Sequence, residues 1–169
     1  MTPQLLTWLS ELPPFHGSVV EIGAYNVNGS ARDHLGHSHW LGTDMRPGPY
    51  VDWVIPGERL GRLLGPVFQG VVCMETLEHC EDWAGVLQSA WECLTYTGVL
   101  VLSTPGHDFP KHDYPHDYWR FSLEFWRKVF AGNIIQNEAD FYYPHNGHAL
   151  TVTKIKPFLH LNHEPMKVK

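Results

Sequence analysis

The sequence contains no uninterrupted apolar run of about 18 residues, the length that a membrane-spanning helix requires. The N-terminal residues also lack a basic segment followed by a long apolar stretch, so we expect neither an export signal nor a membrane span. Basic residues are few, because 12 Lys and Arg against 18 Asp and Glu give a net charge of −6. Nucleic-acid-binding proteins usually collect basic residues on one face. We therefore expect a partner that is not a nucleic acid.

Cysteine is also scarce, with three residues at Cys73, Cys80 and Cys93. An odd number of cysteines in apolar or helical contexts does not suit a secreted disulfide framework. Their spacing does not match a zinc or iron–sulfur motif either, so we expect them to be packed in the core. This usage favours a reducing compartment, and we predict a cytoplasmic protein.

The length of 169 residues suits one domain, since a domain typically takes roughly 100 to 200 residues. The hydrophobic fraction of 43% is sufficient for a core, and we find no repeat, low-complexity tract or interdomain linker. We predict a single domain over residues 1–156 and a C-terminal tail over 157–169. Residues 166–169 of that tail are expected to be a solvated terminus.

Hydrophobic periodicity predicts alternating helices and strands. Apolar residues at helical spacing precede Pro13 and Pro14, which end a leading helix. Asn28 and Gly29 could open a further helix, and Gly98 is expected to end a long one. The predicted strands cover 18–23, 39–43, 50–54, 70–74, 99–102, 134–143 and 148–155, and the predicted helices cover 5–12, 58–64, 83–96 and 123–130.

This alternation predicts an α/β fold with a parallel sheet covered by helices on both faces. The last two strands follow each other directly and are joined at residues 144–147, where Asn146 and Gly147 favour a hairpin. An antiparallel pair is thus expected to close a Rossmann-like, mostly parallel sheet. The stretch 106–121 has no clear period, and a loop of that length in a compact domain is commonly functional.

Ligands of open α/β sheets bind at the carboxyl ends of the strands. Gly23 follows the first strand and would let backbone approach a ligand, while the start of a helix at Gly29 and Ser30 would offer N–H groups to an anion. Asp44 follows the second strand about twenty residues later, where a carboxylate can hold ribose hydroxyls. These residues predict a nucleoside ligand without distinguishing a nicotinamide dinucleotide from S-adenosylmethionine. The loop lacks the three-glycine spacing that wraps a pyrophosphate, which makes the dinucleotide the second choice.

Five blocks together resemble class I S-adenosylmethionine-dependent methyltransferases, and among them the type-11 group. The blocks are EIGAYNVNGSAR (21–32), GTDMRPGPYVD (42–52), METLEH (74–79), GVLVLSTP (98–105) and HDYPHDYWRFS (112–122). The first differs from the usual motif by a longer spacer before its second glycine. The resemblance implies a seven-stranded mixed sheet with an antiparallel last strand, and S-adenosylmethionine as cofactor.

The resemblance also implies roles for particular residues. Glu21 and Gly23 would contact the methionine part of the cofactor, with Glu75 near the same end. Asp44 would bind the ribose hydroxyls, and Met45 would lie against the adenine. The full predicted cofactor set is Glu21, Gly23, Ala24, Tyr25, Asn28, Gly29, Asp44, Met45, Asp52, Trp53 and Glu75.

A sulfonium methyl group is already electrophilic, so the protein mainly has to align an acceptor, and a hydroxyl acceptor also needs a base. Neutral imidazole accepts protons near pH 7, which makes His79, His112 and His116 the candidate bases. Asp113 or Asp117 could orient one of them. Aromatic side chains at Tyr114, Tyr118 and Trp119 could line the acceptor pocket. The His and Asp spacing in this stretch fits no established short metal motif, so the sequence predicts no metal site.

The sequence therefore predicts methyl transfer from S-adenosylmethionine to a small-molecule or saccharide acceptor, with O-methylation favoured. The short helices could leave the acceptor pocket to be completed by a second subunit, so a homo-oligomer is compatible with the sequence. A DNA methyltransferase is disfavoured because METL (74–77) replaces the Pro-Pro-aromatic motif. Two alternatives stay open: a cofactor-binding module without catalysis, and a nicotinamide-dependent oxidoreductase.

Overall fold

The structure is a computed structural model that describes residues 1–36, 39–112, 116–141, 146–157 and 159–168. Asp113 and Tyr114, which the sequence places near the acceptor, lie outside these ranges, as do residues 144 and 145 of the predicted hairpin turn. The four α-helices of the described chain are α1 (Pro3–Glu11), α2 (Leu60–Leu64), α3 (Trp83–Cys93) and α4 (Leu123–Val129). The strands are β1 (Ser18–Ile22), β2 (His39–Asp44), β3 (Trp53–Val54), β4 (Phe68–Met74), β5 (Leu94–Pro105), β6 (Trp119–Arg120), β7 (Ile134–Phe141), β8 (Gly147–Thr153) and β9 (Met166–Lys167).

Seven strands form one mixed sheet in the order β3-β2-β1-β4-β5-β8-β7. The first five strands in this order pair in parallel with their neighbours, and β8 is antiparallel to both β5 and β7. This arrangement confirms the predicted α/β architecture with an antiparallel last strand. The sheet order reverses between β1 and β4, so the carboxyl ends of these two strands form the switch point where ligands of such sheets bind.

Side chains alternate between the two faces of the sheet, and helices cover both. Val20, Ile22, Val71 and Cys73 face a large core that is closed by α2, α3 and α4. Rings of α3 and α4 supply much of that core: Trp83 packs edge-on against Trp126. The opposite face is covered more thinly, by Leu5, Trp8 and Leu9 of α1 together with Ala31 and Leu35.

The predicted helix over 83–96 is too long at its C-terminal end. The structure ends α3 at Cys93 and begins β5 at Leu94. The Lys154 ammonium donates hydrogen bonds to the carbonyls of Trp91, at 2.6 Å, and Leu94, at 2.8 Å. A cation that satisfies carbonyls at a helix end favours termination there. The side chain that ends the helix comes from a distant part of the sequence, and Gly98 is not its terminator.

The C-terminal segment is packed on the domain, so residues 166–168, which the sequence predicts as a solvated terminus, are held in place, although Met166 and Lys167 stay exposed. Leu159 and Leu161 lie against the large core. Residues Met166–Lys167 pair with β6, and the Val168 N–H donates to the carbonyl of Tyr118 at 2.7 Å. The backbone groups of β6 require partners, and this segment provides them. Within the described ranges, no helix is long and apolar enough to cross a membrane.

Candidate functional site

The carboxyl ends of β1 and β4 are held close together through Gly23 and Thr76. Gly23 has a φ of +81°, and a Cβ at this position would overlap the side chain of Thr76. The Thr76 hydroxyl lies 2.9 Å from the carbonyl of Met74 and 3.4 Å from that of Ile22, so it connects the two strand ends. The position therefore requires glycine for both its backbone angle and its space.

Several backbone donors of the loop after β1 are already used within the protein. The Gly23 and Ala24 N–H groups both donate to the Thr43 carbonyl at 2.9 Å. Further along the loop, the Gly29 N–H donates to Asn26 Oδ1 at 2.9 Å. The predicted helix after this loop is a single 3-10 turn, Ala31–Asp33, capped by Ser30. The helix start that the sequence offers to an anion is therefore a short turn, and the side chain of Asn26 satisfies its Gly29 N–H. Anion binding at this turn stays a prediction.

Glu21 projects from β1 toward the thinly covered face of the sheet and is only 4% exposed. Trp40 Nε1 donates a hydrogen bond of 3.1 Å to its carboxylate. Burial raises the pKa of Glu21 to about 7, against the opposing effect of the Trp40 hydrogen bond. A cationic ligand group beside this carboxylate would be strongly favoured, because it would replace the lost hydration.

Asp44 ends β2 with its side chain turned toward the loop after β1. Its Oδ2 accepts from the Tyr25 N–H at 3.4 Å, and its Oδ1 accepts from the Arg46 N–H at 2.9 Å. Met45 follows with 69% of its surface exposed, which leaves an apolar side chain open to solvent beside the carboxylate. The Tyr25 ring faces the Arg46 guanidinium at 5.2 Å.

Asp52 and Trp53 lie farther along the same edge of the sheet. Asp52 accepts from the Gly42 N–H at 2.8 Å and pairs with Arg32 at 3.3 Å, so its carboxylate connects β2 to the loop before β3. Trp53 belongs to the edge strand β3 and is 37% exposed. Neither residue lines the cavity at the switch point, although both lie near the end of β2.

Glu75 follows β4 in a left-handed backbone conformation, with a φ of +47°. Non-glycine residues adopt this conformation at a cost, and such positions concentrate at functional sites. Hydrogen bonds to Ser103 hold it: the Glu75 N–H donates to the Ser103 carbonyl at 3.1 Å, and the Ser103 hydroxyl donates to the carboxylate at 2.8 Å. Burial raises the pKa of Glu75, and the Ser103 hydrogen bond opposes that shift.

A cavity of about 100 Å³ lies between these elements at the switch point. Most of the predicted cofactor residues line it, with the leading residue of the chain closing one side. The lining comprises Met1, Glu21, Gly23, Ala24, Tyr25, Val27, Asn28, Gly29, Ser30, Met74 and Glu75. A larger cavity of about 310 Å³ lies elsewhere, beside Pro13, Pro14 and Phe15. That one adjoins the amino ends of the parallel strands, where ligands of this sheet architecture do not usually bind.

A second polar cluster lies just beyond Glu75, where a 3-10 turn carries Glu78 and His79. The ring centroids of His79 and His112 are 5.0 Å apart, so the structure brings together two of the three predicted bases. The third, His116, has an exposed side chain, and only its backbone carbonyl contacts His79 Nδ1. Burial lowers the pKa of His79, partly opposed by this contact.

The His112 end of the cluster is fixed by a buried ion pair. Asp117 accepts two hydrogen bonds from the Arg120 guanidinium, one to Oδ1 at 2.5 Å and one to Oδ2 at 2.6 Å, and both side chains are buried. The same carboxylate accepts from the His112 N–H at 2.8 Å and lies 3.1 Å from His112 Nδ1. Burial alone would raise the pKa of Asp117, but the hydrogen bonds from Arg120 and His112 hold it below its usual range.

Sequence reasoning missed Trp40, Glu78, Ser103 and Arg120 as parts of the site. Glu78 carried a usable signal, because a carboxylate three residues after Glu75 falls on the same side of a helical turn. Arg120 pairs with Asp117 only three residues away, so the two opposite charges were also a usable signal. Trp40 and Ser103 act through side-chain contacts with residues far away in the sequence, which no local pattern could have indicated.

The fold is that of S-adenosylmethionine-dependent methyltransferases. A complex between the Haloferax volcanii Trm112 methyltransferase activator and a methyltransferase aligns at a TM-score of 0.65 and 16% identity, covering 94% of this chain and 89% of that one. An S-adenosylmethionine-dependent methyltransferase from Mesorhizobium loti aligns at a TM-score of 0.61 and 16% identity, covering 88% of this chain and 96% of that one. The CurJ carbon methyltransferase aligns at a TM-score of 0.60 and 14% identity. The alignment covers 86% of this chain and 50% of that structure. No family model and no curated protein sequence matches the chain.

Proposed function

We propose that this protein binds S-adenosylmethionine at the switch-point cavity and transfers its methyl group to a hydroxyl of a small molecule or saccharide. The observation that carries the proposal is the meeting of Glu21, Gly23 and Glu75 around one cavity, with Asp44 at the neighbouring strand end. The fold shared with S-adenosylmethionine-dependent methyltransferases supports the cofactor, although fold alone does not choose an acceptor.

The residues present fit this cofactor. S-adenosylmethionine carries an ammonium and a sulfonium, and two carboxylates, Glu21 and Glu75, line the cavity with no lysine or arginine among its lining residues. The cavity of about 100 Å³ is small beside ligand pockets of roughly 300 to 1,000 Å³. It therefore suits the amino-acid end, while the nucleoside would lie over the more open surface of Asp44 and Met45. Asp44 would accept the ribose hydroxyls, and Met45 would contact the adenine.

Other residues of the predicted set would complete the binding surface. Ala24, Tyr25, Asn28 and Gly29 line the cavity and would contact the amino-acid end. Asp52 and Trp53 would lie beside the adenine, at the outer edge of the sheet. When bound, the cofactor supplies an electrophilic methyl group, and the protein aligns the acceptor with it and excludes water.

A hydroxyl acceptor must also lose its proton, and the His79 and His112 pair beside Glu75 is placed to handle that hydroxyl. Glu75 lines the cavity, and the 3-10 turn that carries His79 begins two residues later, so the pair lies close to the cavity. His112→Ala should therefore slow transfer at least tenfold without weakening cofactor binding, since base catalysis typically contributes about 10²- to 10⁴-fold. His116→Ala is the matched variant and should have a smaller effect, because its ring is exposed.

Calorimetry with S-adenosylmethionine, S-adenosylhomocysteine and NAD tests the cofactor. We expect the first two to bind and NAD to give no heat, whereas binding of NAD alone would establish the oxidoreductase alternative.

Mass spectrometry of hydroxylated small molecules and saccharides incubated with protein and cofactor tests the transfer. A gain of one methyl group is expected, and cofactor binding with no methylated product across a broad panel would instead indicate a binding module. Because the net charge is −6, we propose no nucleic acid as partner. We propose no membrane partner either, since the sequence has no apolar run of about 18 residues. A second subunit could complete the acceptor side.

A further inference from the structure

We propose that Glu78, His79 and His112 form a binding site for a divalent transition-metal cation such as Mn²⁺ or Zn²⁺, next to the cofactor cavity. One ligand atom from each of these three side chains lies within 4.8 Å of the others. Ligands held about 2.1 Å from one ion lie roughly 3.0 to 3.4 Å apart, so small side-chain movements would complete the coordination. Imidazole suits Zn²⁺ and other transition-metal cations and the carboxylate also suits Mn²⁺, whereas Mg²⁺ and Ca²⁺ prefer sets made of oxygen alone.

The independent observation is the state of the Glu78 carboxylate. Its side chain has no exposed surface, and neither oxygen has a hydrogen-bond partner within the described residues. Its nearest recorded polar contact is His79 Nε2, 3.7 Å from Oε1. A buried carboxylate without partners is costly, and native structures normally satisfy such groups with a hydrogen bond or a metal ion. A cation between Glu78 and the two imidazoles would satisfy it.

The surroundings of the two imidazoles fit the same role. Nδ1 of His79 contacts the His116 carbonyl, which leaves Nε2 on the side of Glu78. Nδ1 of His112 lies 3.1 Å from Asp117 Oδ2, an ionic contact without hydrogen-bond geometry, and Arg120 holds that carboxylate in place. Histidine ligands of metals are commonly oriented in this way, with one nitrogen on a carbonyl or carboxylate and the other on the ion.

The chemical use of this ion rests on the proposed function. Three protein ligands leave coordination positions open, and an acceptor hydroxyl in one of them would become more acidic. The hydroxyl proton would pass to solvent water, the O–CH₃ bond would form as the S–CH₃ bond breaks, and the products would be a methyl ether and S-adenosylhomocysteine. The imidazoles would then act as ligands that activate the hydroxyl through the ion.

Metal binding is tested directly on the full chain after treatment with chelator. Titration calorimetry with MnCl₂, ZnCl₂ and MgCl₂ should show one site per chain for Mn²⁺ or Zn²⁺, with Mg²⁺ at least tenfold weaker. Glu78→Gln, His79→Gln and His112→Gln should each lower the affinity at least tenfold. Glu81→Gln and His107→Gln are matched controls at exposed positions of the same regions and should bind as the wild type does.

Folding of the variants is separated from binding by thermal unfolding. Glu78→Gln keeps the shape of the side chain and should unfold in chelator at or above the wild-type Tm, because it removes an unsatisfied buried carboxylate. Added metal should raise the Tm of the wild type and leave that of Glu78→Gln unchanged. Absence of saturable Mn²⁺ or Zn²⁺ binding, or binding that all three variants retain, would overturn the site. Cofactor calorimetry is a separate measurement, so failure of the metal site and failure of the proposed function give different results.

Discussion

Ser103 and Glu75 hold each other across the ends of β5 and β4. The Ser103 hydroxyl donates to the Glu75 carboxylate at 2.8 Å, and the Glu75 N–H lies 3.1 Å from both oxygens of Ser103. Glu75 keeps a left-handed backbone conformation at this point, with a φ of +47°. Ser103 thus holds in place both the left-handed backbone of Glu75 and the Glu75 carboxylate, which lines the cavity.

Ser103→Ala should weaken S-adenosylmethionine binding about five- to thirtyfold, because a lost hydrogen bond to a carboxylate is worth roughly 1 to 2 kcal/mol. Ser89→Ala is a suitable control: the buried Ser89 hydroxyl accepts from the Gly61 N–H at 2.7 Å, far from the cavity. Both variants should lose stability in chemical denaturation, but only Ser103→Ala should lose affinity in calorimetry. Equal affinities of the two variants would contradict a role for Ser103 in positioning Glu75.

Gly23→Ala should destabilise the fold by roughly 2 to 4 kcal/mol, since it adds overlap with Thr76 to the cost of a left-handed backbone. Gly36→Ala is the matched control, because Gly36 has a φ of +46° and none of the described residues lies within 4 Å of an added Cβ. It should lose only about 1 kcal/mol, the backbone cost. Urea denaturation of both variants measures the difference. If Gly23→Ala were no less stable than Gly36→Ala, the close approach of β1 and β4 would be wrong.

The sequence predicts the sheet well because its strands are local patterns, and it predicts the ends of elements less well. The run from Val99 to Leu102 is apolar and indicates a buried strand whatever surrounds it. The end of α3 instead depends on Lys154, and the segment after Leu159 is held by pairing with β6, which lies far away in the chain. Local periodicity contains no information about either contact.

The candidate site likewise has residues that the sequence predicts and contacts that it does not. Gly23, Asp44 and Glu75 follow strands, so their place at one edge of the sheet follows from the topology alone. The donors of the loop after β1 could not be assigned, because the Asn26 side chain competes with a helix for the same backbone groups. The proximity of His79 to His112 depends on the path of the segment after β5, which has no periodic pattern.

Asp44→Asn should weaken S-adenosylmethionine binding roughly ten- to a hundredfold, because a charged acceptor of ribose hydroxyls is worth about 1.5 to 3 kcal/mol. The amide retains an acceptor for one of the two backbone N–H groups that the carboxylate now accepts, those of Tyr25 and Arg46. Stability should therefore change by less than about 1 kcal/mol. Calorimetry with S-adenosylhomocysteine should show the same loss, and Asp108→Asn, at an exposed position, should show none. Unchanged affinity in Asp44→Asn would remove the ribose assignment.

Glu21 should make the protein less stable as the pH rises from about 4.5 to 7. Burial raises the pKa of the folded-state carboxyl from 4.5 to about 7, so the folded protein keeps this proton while the unfolded chain releases it. The stabilisation by this retained proton is complete below the pKa of Glu21 in the unfolded chain, and it is lost as the pH rises through the pKa of Glu21 in the folded protein. It amounts to roughly 3 kcal/mol at about 1.4 kcal/mol per pKa unit.

Glu21→Gln isolates this contribution, because the amide resembles the protonated acid and can still accept from Trp40 Nε1. The free energy of unfolding, measured in urea from pH 5 to pH 8, should fall by less in the variant than in the wild type, and the difference should develop below about pH 7. Other buried carboxyls titrate in both proteins and cancel in the comparison. Parallel pH profiles of the two proteins would show that Glu21 is ionised in the folded state throughout this range, contrary to the burial that the structure gives it.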